Sequence, residues 1–425
     1  MLAVTEYLDR LTKTWWECDE ASPPFGVAYA PREQGVREAQ LARFLDELLR
    51  EARRPPRTAA ERDALQERLL AGTAPLIKLA LGLEDRHVDA LGLSDFGAAA
   101  TAFARAARRF DPAVSIADIY QAGRNAVTAN FLQRLLGLPV QSTPAVFAYS
   151  MLYPYSDNIL DDPALPGAAK HAFNGRFRRR LSGEPVGPGS PAEEKVWALI
   201  AMIESQYARA AFPQVYASLL AIHAAQHKSM RLMRPGASPY EADVLGISFE
   251  KGGTSVLADG YLVAGTLAGP QAEFLFGLGA LLQLGDDLED MAADRQAGLM
   301  TVFAQTAGRW PLDRLTTRAL HFGRRMLARM SDFAAPGTEL LWEFVDRSAM
   351  QPIYQSAGQA SRFYSRDYLR ALEAHSSFRF AFVRDQHRKL GRRREVLGRF
   401  LEAFLGADEA SGLALAAARA IPDLS

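Results

Sequence analysis

The chain has 425 residues, with 49 Lys+Arg balanced by 49 Asp+Glu, and a single cysteine, Cys18. Zero formal net charge gives no bulk field to attract nucleic acid or an anionic membrane, and one cysteine excludes an internal disulfide framework or a multi-cysteine zinc site. At 48% hydrophobic and 23% charged residues there is material for a sizeable core. Met1–Tyr7 shows no basic stretch followed by an apolar one, so no secretion signal is expected. The most apolar segment, Leu262–Leu284, is interrupted by Gln271 and Glu273 and reads as core helix rather than membrane span. The expectation is a soluble, cytoplasmic protein.

Strand alternation is scarce and helical periodicity is widespread, which predicts an all-α fold. Leu41, Phe44, Leu45 and Leu48 make one helical stripe. Leu65, Leu69, Leu70 and Ile77 make another, ending before Gly82. Pro55-Pro56, Gly137-Leu138-Pro139, Gly183–Pro191, Arg234-Pro235-Gly236, Gly269-Pro270 and Ala335-Pro336-Gly337 read as inter-helix loops. The predicted organisation is a helical N-terminal extension over residues 1–100, a main body over 101–405 and a small-residue tail over 406–425.

Two acidic segments stand out. In the first, Thr143 is a good N-cap and Pro144 a good first helical residue, while Asp162-Pro163 is a stop. Asp157 and Asp161 are four apart and share a face of the predicted helix. Their place at its C-terminal end costs roughly 0.3–1 kcal/mol each against the helix dipole, which a cation would remove. The second segment, Asp286-Asp287-Leu288-Glu289-Asp290 with Asp294, follows the apolar run Phe274–Leu282. Here Asp287, Asp290 and Asp294 would lie on one continuous helical face, where bare acids repel one another. Each segment alone could be a solvated acidic face. Carboxylates without nearby His or Cys favour hard cations, and Mg²⁺ is held by one or two carboxylates plus waters and substrate phosphates. EF-hand spacing is absent, and Ala224 replaces the glutamate of a zinc motif at His223 and His227.

The two segments and what lies between them resemble class I isoprenoid synthases, the superfamily of terpene cyclases and prenyl-transferring enzymes, and look most like its large bacterial terpene synthases. Asp157-Asn158-Ile159-Leu160-Asp161 is similar to the family's DDxxD, with Asn158 in the second position. Gln283-Leu284-Gly285-Asp286-Asp287-Leu288-Glu289-Asp290 is similar to the second aspartate motif, and Asp286, Asp290 and Asp294 also meet the spacing of the alternative triad. Lys251-Gly252-Gly253-Thr254 stands where the family often places a diphosphate-binding cation. Arg362-Phe363-Tyr364 resembles the Arg-Tyr pair near the C-terminus of many terpene synthases.

The resemblance implies a helical bundle around a central apolar cavity, with residues 101–405 as the catalytic domain. Its implied metal ligands are Asp157, Asp161, Asp286, Asp287, Asp290 and Asp294, holding three Mg²⁺ ions with the diphosphate. Lys251, Arg124, Asn125, Arg362, Tyr364 and Gln283 are its implied substrate contacts, and helical spacing from the motifs adds Tyr153, Tyr149 and Phe276 as cavity liners. The implied reaction is that of a carbon-oxygen lyase acting on diphosphates: a linear prenyl diphosphate ionises and cyclises to a terpene hydrocarbon or alcohol. Pro163-Ala164-Leu165-Pro166 stands where chain-elongating synthases carry Arg-Arg-Gly, which favours a one-substrate cyclase. A prenyl-condensing transferase, of the squalene or phytoene type or chain-elongating, and a catalytically silent prenyl-lipid-binding helical protein are the alternatives. No nucleic-acid partner and at most peripheral membrane contact are expected, and a homodimer is admitted.

Overall fold

The computed structural model describes residues 2–54, 56, 58–233, 238, 240–332 and 339–405. The predicted loops at 234–236 and 335–337, Pro55, and the tail from Gly406 therefore lie wholly or mainly outside the described residues.

The described residues are all-helical, with no strand among them. The N-terminal part contains α1 (Val4–Trp16), α2 (Pro31–Ala52), α3 (Ala59–Leu81), the short α4 (Asp85–Leu91) and α5 (Leu93–Phe110). The next group is α6 (Ile116–Leu135), α7 (Pro144–Asp161), α8 (Gly167–Leu181), α9 (Pro191–Gln206) and α10 (Pro213–Ser229). After a 3₁₀ turn come α11 (Val244–Ala264), α12 (Gly269–Glu289), α13 (Met291–Ala297) and α14 (Val302–Thr306). The C-terminal group is α15 (Asp313–Ala328), α16 (Glu339–Gln359), α17 (Arg366–Glu373), α18 (Phe380–Gly391) and α19 (Arg394–Leu405).

Local signals set many of these boundaries. Thr58 and Glu61 form a reciprocal capping box at the start of α3, and Gly82 ends it in the left-handed conformation, φ 65°. Thr143 accepts from the Val146 N–H, and Pro144 opens α7 as the sequence indicates. Gly269-Pro270 differs from the expected loop: both residues belong to the first turn of α12, where proline's missing N–H costs nothing.

The main core gathers α1, α6, α7, α9, α10, α11, α12, α15 and α16. Leu11 and Trp15 of α1 are buried in it, Trp15 edge-on to both Phe249 and Phe322. A second cluster joins Leu41, Leu45 and Leu49 of α2 to Val383, Leu390, Leu397 and Phe400 of α18 and α19. A third joins Leu83, Leu91, Phe96 and Phe344. The N-terminal helices therefore share cores with helices from the C-terminal half of the chain.

Helices α11 and α12 make the closest pairing in the bundle. Gly252 faces Gly279 so tightly that a Cβ on either would overlap the other's carbonyl oxygen. The Phe276 ring lies over Gly253, where a Cβ would stand 2.7 Å from it. This contact fixes the rotation of α12, turning Phe276, Gln283 and Asp287 toward α11 and another face of α12 toward α6 and α16.

Candidate functional site: two acidic segments bridged by one turn of α6

The acidic segments end α7 and α12, far apart in sequence, and α6 touches both. Gln121 Nε2 donates to Asp157 Oδ2 at 3.4 Å. One turn further along α6, Arg124 Nη2 lies 3.5 Å from Asp286 Oδ1. Burial opposes the Arg124 charge, but Asp286 and Glu289 outweigh it and raise its pKa. Asn158, in the second position of the first motif, turns away and donates to Asp118 at 3.2 Å. The backbone of Asp161 closes α7, and its side chain lies outside the described residues.

In the second segment Asp290 (φ −83°, ψ 0°) divides α12 from α13, yet its N–H bonds Asp286 O at 2.8 Å, the Asp294 N–H bonds Asp290 O at 2.9 Å, and Asp294 interacts with both Asp290 and Asp287. Asp287 is buried, and burial pushes its pKa up to about 6. The Gln283 amide bonds its Oδ1 at 2.8 Å, and Ser248 and Lys251 also favour its charged form. Its Oδ2 is buried with no hydrogen-bond partner. Asp294 is pushed up to about 7 by burial and by Asp290 and Asp287, with Lys251 opposing. Lys251 thus offsets part of the penalty on both Asp287 and Asp294.

Among the described residues no three His, Cys, Asp or Glu side chains form a ready-made metal cage. The donor set nonetheless fits a hard cation that takes most of its shell from water and ligand oxygens. The buried, unpartnered Oδ2 of Asp287 is the observation that favours such an occupant, because an orphaned buried acceptor is costly.

A cavity of about 330 Å³ opens beside Arg124, Asp286 and Glu289. Its walls are mainly apolar: Val127 and Phe131 of α6, Leu278, Leu281 and Leu282 of α12, Phe344 and Val345 of α16. Ile77, Ala80 and Leu81 of α3 and Phe96, Gly97 and Ala100 of α5 complete them. Tyr120 stands at the charged end, and Ser348 and Gln355 of α16 add polar atoms. The cavity lies against the face of α12 that turns away from α11.

The remaining expected substrate contacts are distributed elsewhere. Tyr149 and Tyr153 border a separate cavity of about 30 Å³ with His223 and Gln226. Their hydroxyls are 2.8 Å apart, and Tyr153 reaches Ser255 Oγ at 2.6 Å. Burial drives the pKa of both upward, so both stay protonated. Asn125 is committed to the interior, donating to Ser150 Oγ at 3.1 Å and to Asp259 Oδ1 at 2.9 Å. Phe276 is fully buried between helices. Tyr364 is buried and bonded to Thr316 Oγ1 at 2.7 Å. Arg362 stacks over Phe363 at 4.6 Å, and Arg295 of α13 lies 5.7 Å from the same ring.

The sequence reading named neither Gln121 nor the cavity liners on α3, α5 and α16. Gln121 was findable as one turn before Arg124 on the same helix. The liners carry no motif, only apolar periodicity. No family model matches the chain, and no curated protein matches it.

Proposed function

We propose that the protein is a Mg²⁺-dependent class I terpene synthase of the isoprenoid synthase fold, which ionises one linear prenyl diphosphate and cyclises the resulting cation. The observation that carries this reading is that one turn of α6 touches both acidic segments, Gln121 at Asp157 and Arg124 at Asp286, and that Arg124 and Asp286 stand at an apolar cavity. A diphosphate with a hydrocarbon chain has the same polarity: a polyanionic head and an apolar tail. The cavity volume is at the lower end of the roughly 300–1,000 Å³ typical of small-molecule sites.

Asp157 on one side and Asp287, Asp290 and Asp294 on the other would hold Mg²⁺, which supplies Lewis-acid stabilisation of the diphosphate leaving group. Arg124, beside Asp286, and Lys251, beside Asp287 and Asp294, would each contribute charge-assisted hydrogen bonds to the diphosphate from its own side of α12. The apolar walls keep water from the allylic cation once the C–O bond has broken. The aromatic faces available to that cation belong to Tyr120, Phe96, Phe131 and Phe344, each offering about 0.5–2 kcal/mol.

The test is diphosphate release and product mass on incubation with geranyl, farnesyl or geranylgeranyl diphosphate, each with Mg²⁺ or EDTA, alone and with isopentenyl diphosphate. Mg²⁺-dependent release from one substrate, giving a hydrocarbon or alcohol, is expected. Asp157→Ala and Asp287→Ala abolish it while helicity is retained. Product only with isopentenyl diphosphate, or a head-to-head dimer, reassigns the chain to a prenyl transferase. No release from any substrate overturns the enzymatic reading.

A further inference from the structure

The end of α7 that carries Asp157 is entered through Tyr153-Pro154-Tyr155. Pro154 has no N–H to return to the Ser150 carbonyl, so this part of α7 lacks one of its own helix bonds. The tyrosines on either side of it are tied to other elements instead. The Tyr155 hydroxyl donates to Asp111 Oδ2 at 2.6 Å, where α5 ends, and Lys195 of α9 pairs with the same carboxylate. The Tyr153 hydroxyl meets Ser255 Oγ of α11 at 2.6 Å. Tyr149, one turn back, bonds the Tyr153 hydroxyl at 2.8 Å and donates to the Ser255 carbonyl at 3.3 Å.

These bonds fix how α7 lies along α11. Asn125 joins Ser150 to Asp259, and Tyr153 meets Ser255, so residue numbers rise along α7 as they fall along α11. Asp157 and Lys251 each stand four residues past the Tyr153–Ser255 bond, about 6 Å further toward the same end of the pair. Residues four apart share a helix face, so Asp157 follows Tyr153 and Lys251 follows Ser255. Lys251 also lies close enough to Asp287 and Asp294 to favour their charged forms. It therefore stands beside the second acidic segment and level with the first.

We propose that Tyr153 is a positioning residue: through Ser255 it holds Asp157 at its distance from Lys251, and so sets the gap that receives a Mg²⁺-bound diphosphate. With one helix bond missing at Pro154, the turn bearing Asp157 depends on this tie for its placement. Mg²⁺ demands near-ideal octahedral geometry, so a displaced carboxylate costs affinity. The inference rests on the functional reading above for the occupant of the gap.

The experiment is calorimetric titration of the full chain with inorganic diphosphate, in Mg²⁺ and in EDTA. It is run on wild type, Tyr153→Phe, Ser255→Ala and the double variant, each well below its melting point. Wild type is expected to bind only in Mg²⁺. Tyr153→Phe is expected to weaken that binding by on the order of tenfold, the usual effect of losing a group that orients a metal ligand. Ser255→Ala is expected to do so by a similar factor, and the double variant no more than the larger single loss, because both changes remove one bond. Ser255→Ala alone decides the matter if Tyr153→Phe does not fold. Wild-type affinity in the folded variants, even with lowered melting points, makes the bond purely structural and overturns the positioning role. Additive losses in the double variant overturn the route through Ser255. Both results leave the functional reading standing, whereas no Mg²⁺-dependent binding of diphosphate to wild type overturns it together with the inference.

Discussion

Gly252 of α11 and Gly279 of α12 meet backbone to backbone, each occupying the space the other's Cβ would take. The contact sets the rotation of α12 and so decides which acids face Lys251 and which face Arg124. Gly279→Ala should force the helices apart and lower stability by about 1–3 kcal/mol, the usual cost of overpacking. Chemical denaturation measures this as a lower midpoint at unchanged slope. An unchanged midpoint would contradict the close approach.

Arg124 and Asp286 form a long ion pair with both side chains about half exposed. Such pairs contribute about 0–1 kcal/mol. Arg124→Ala should therefore leave the denaturation midpoint nearly unaltered, yet lower kcat/KM for the prenyl diphosphate by on the order of tenfold to a hundredfold through a lost charge-assisted contact. A variant that loses stability while keeping kcat/KM would make Arg124 a structural residue.

Asn125 links Ser150 of α7 to Asp259 of α11. Asp259 is buried with its Oδ2 unpartnered, and burial raises its pKa far above the usual carboxylate range. Asn125→Ala leaves a buried carboxylic acid without its remaining donor, at a cost of about 1–3 kcal/mol. Thermal unfolding should show the loss. Affinity for a prenyl thiolodiphosphate, measured well below the melting point, should not change, because Asn125 points into the bundle.

His223 packs edge-on to Phe177 with its Nε2 buried and unpartnered, and burial lowers its pKa to about 4. The unfolded chain binds this proton near pH 6.5, the folded chain only near pH 4. Stability contributed by the neutral imidazole is therefore complete above pH 6.5 and is lost as pH falls toward 4. At the lower limit the difference approaches about 3 kcal/mol. Melting curves of wild type and His223→Gln between pH 7.5 and 4.5 should converge as pH falls. Parallel curves would show that His223 does not titrate differently on folding.

The helices carrying the acids were readable because their signals are local. Thr143, Pro144 and the Asp162-Pro163 stop bracket α7, and the apolar run Phe274–Leu282 announces α12. Orientation was harder, because α12 is apolar on more than one face. Only the Gly252–Gly279 contact tells that Leu278, Leu281 and Leu282 line the cavity while Phe276 does not. Tyr149 and Tyr153 had suitable spacing, but their hydroxyls are taken up by each other and by Ser255, more than a hundred residues away. The one-residue division between α12 and α13 at Asp290 carries no proline or glycine to announce it. The stripes on α3 and α5 announced that those helices bury a face, without saying against what.

The cavity borrows its walls from Ile77 near one end of the chain to Ser356 near the other. A growing polypeptide therefore has no such cavity until α16 has been made, by which time most of the molecule already exists. Contacts of this range form late, since loop closure precedes their reward. Until then Leu278, Leu281, Phe131 and Phe96 present apolar surface with no partner opposite. Ligand affinity is thus a late readout of assembly: a chain can reach full helicity before it can bind anything.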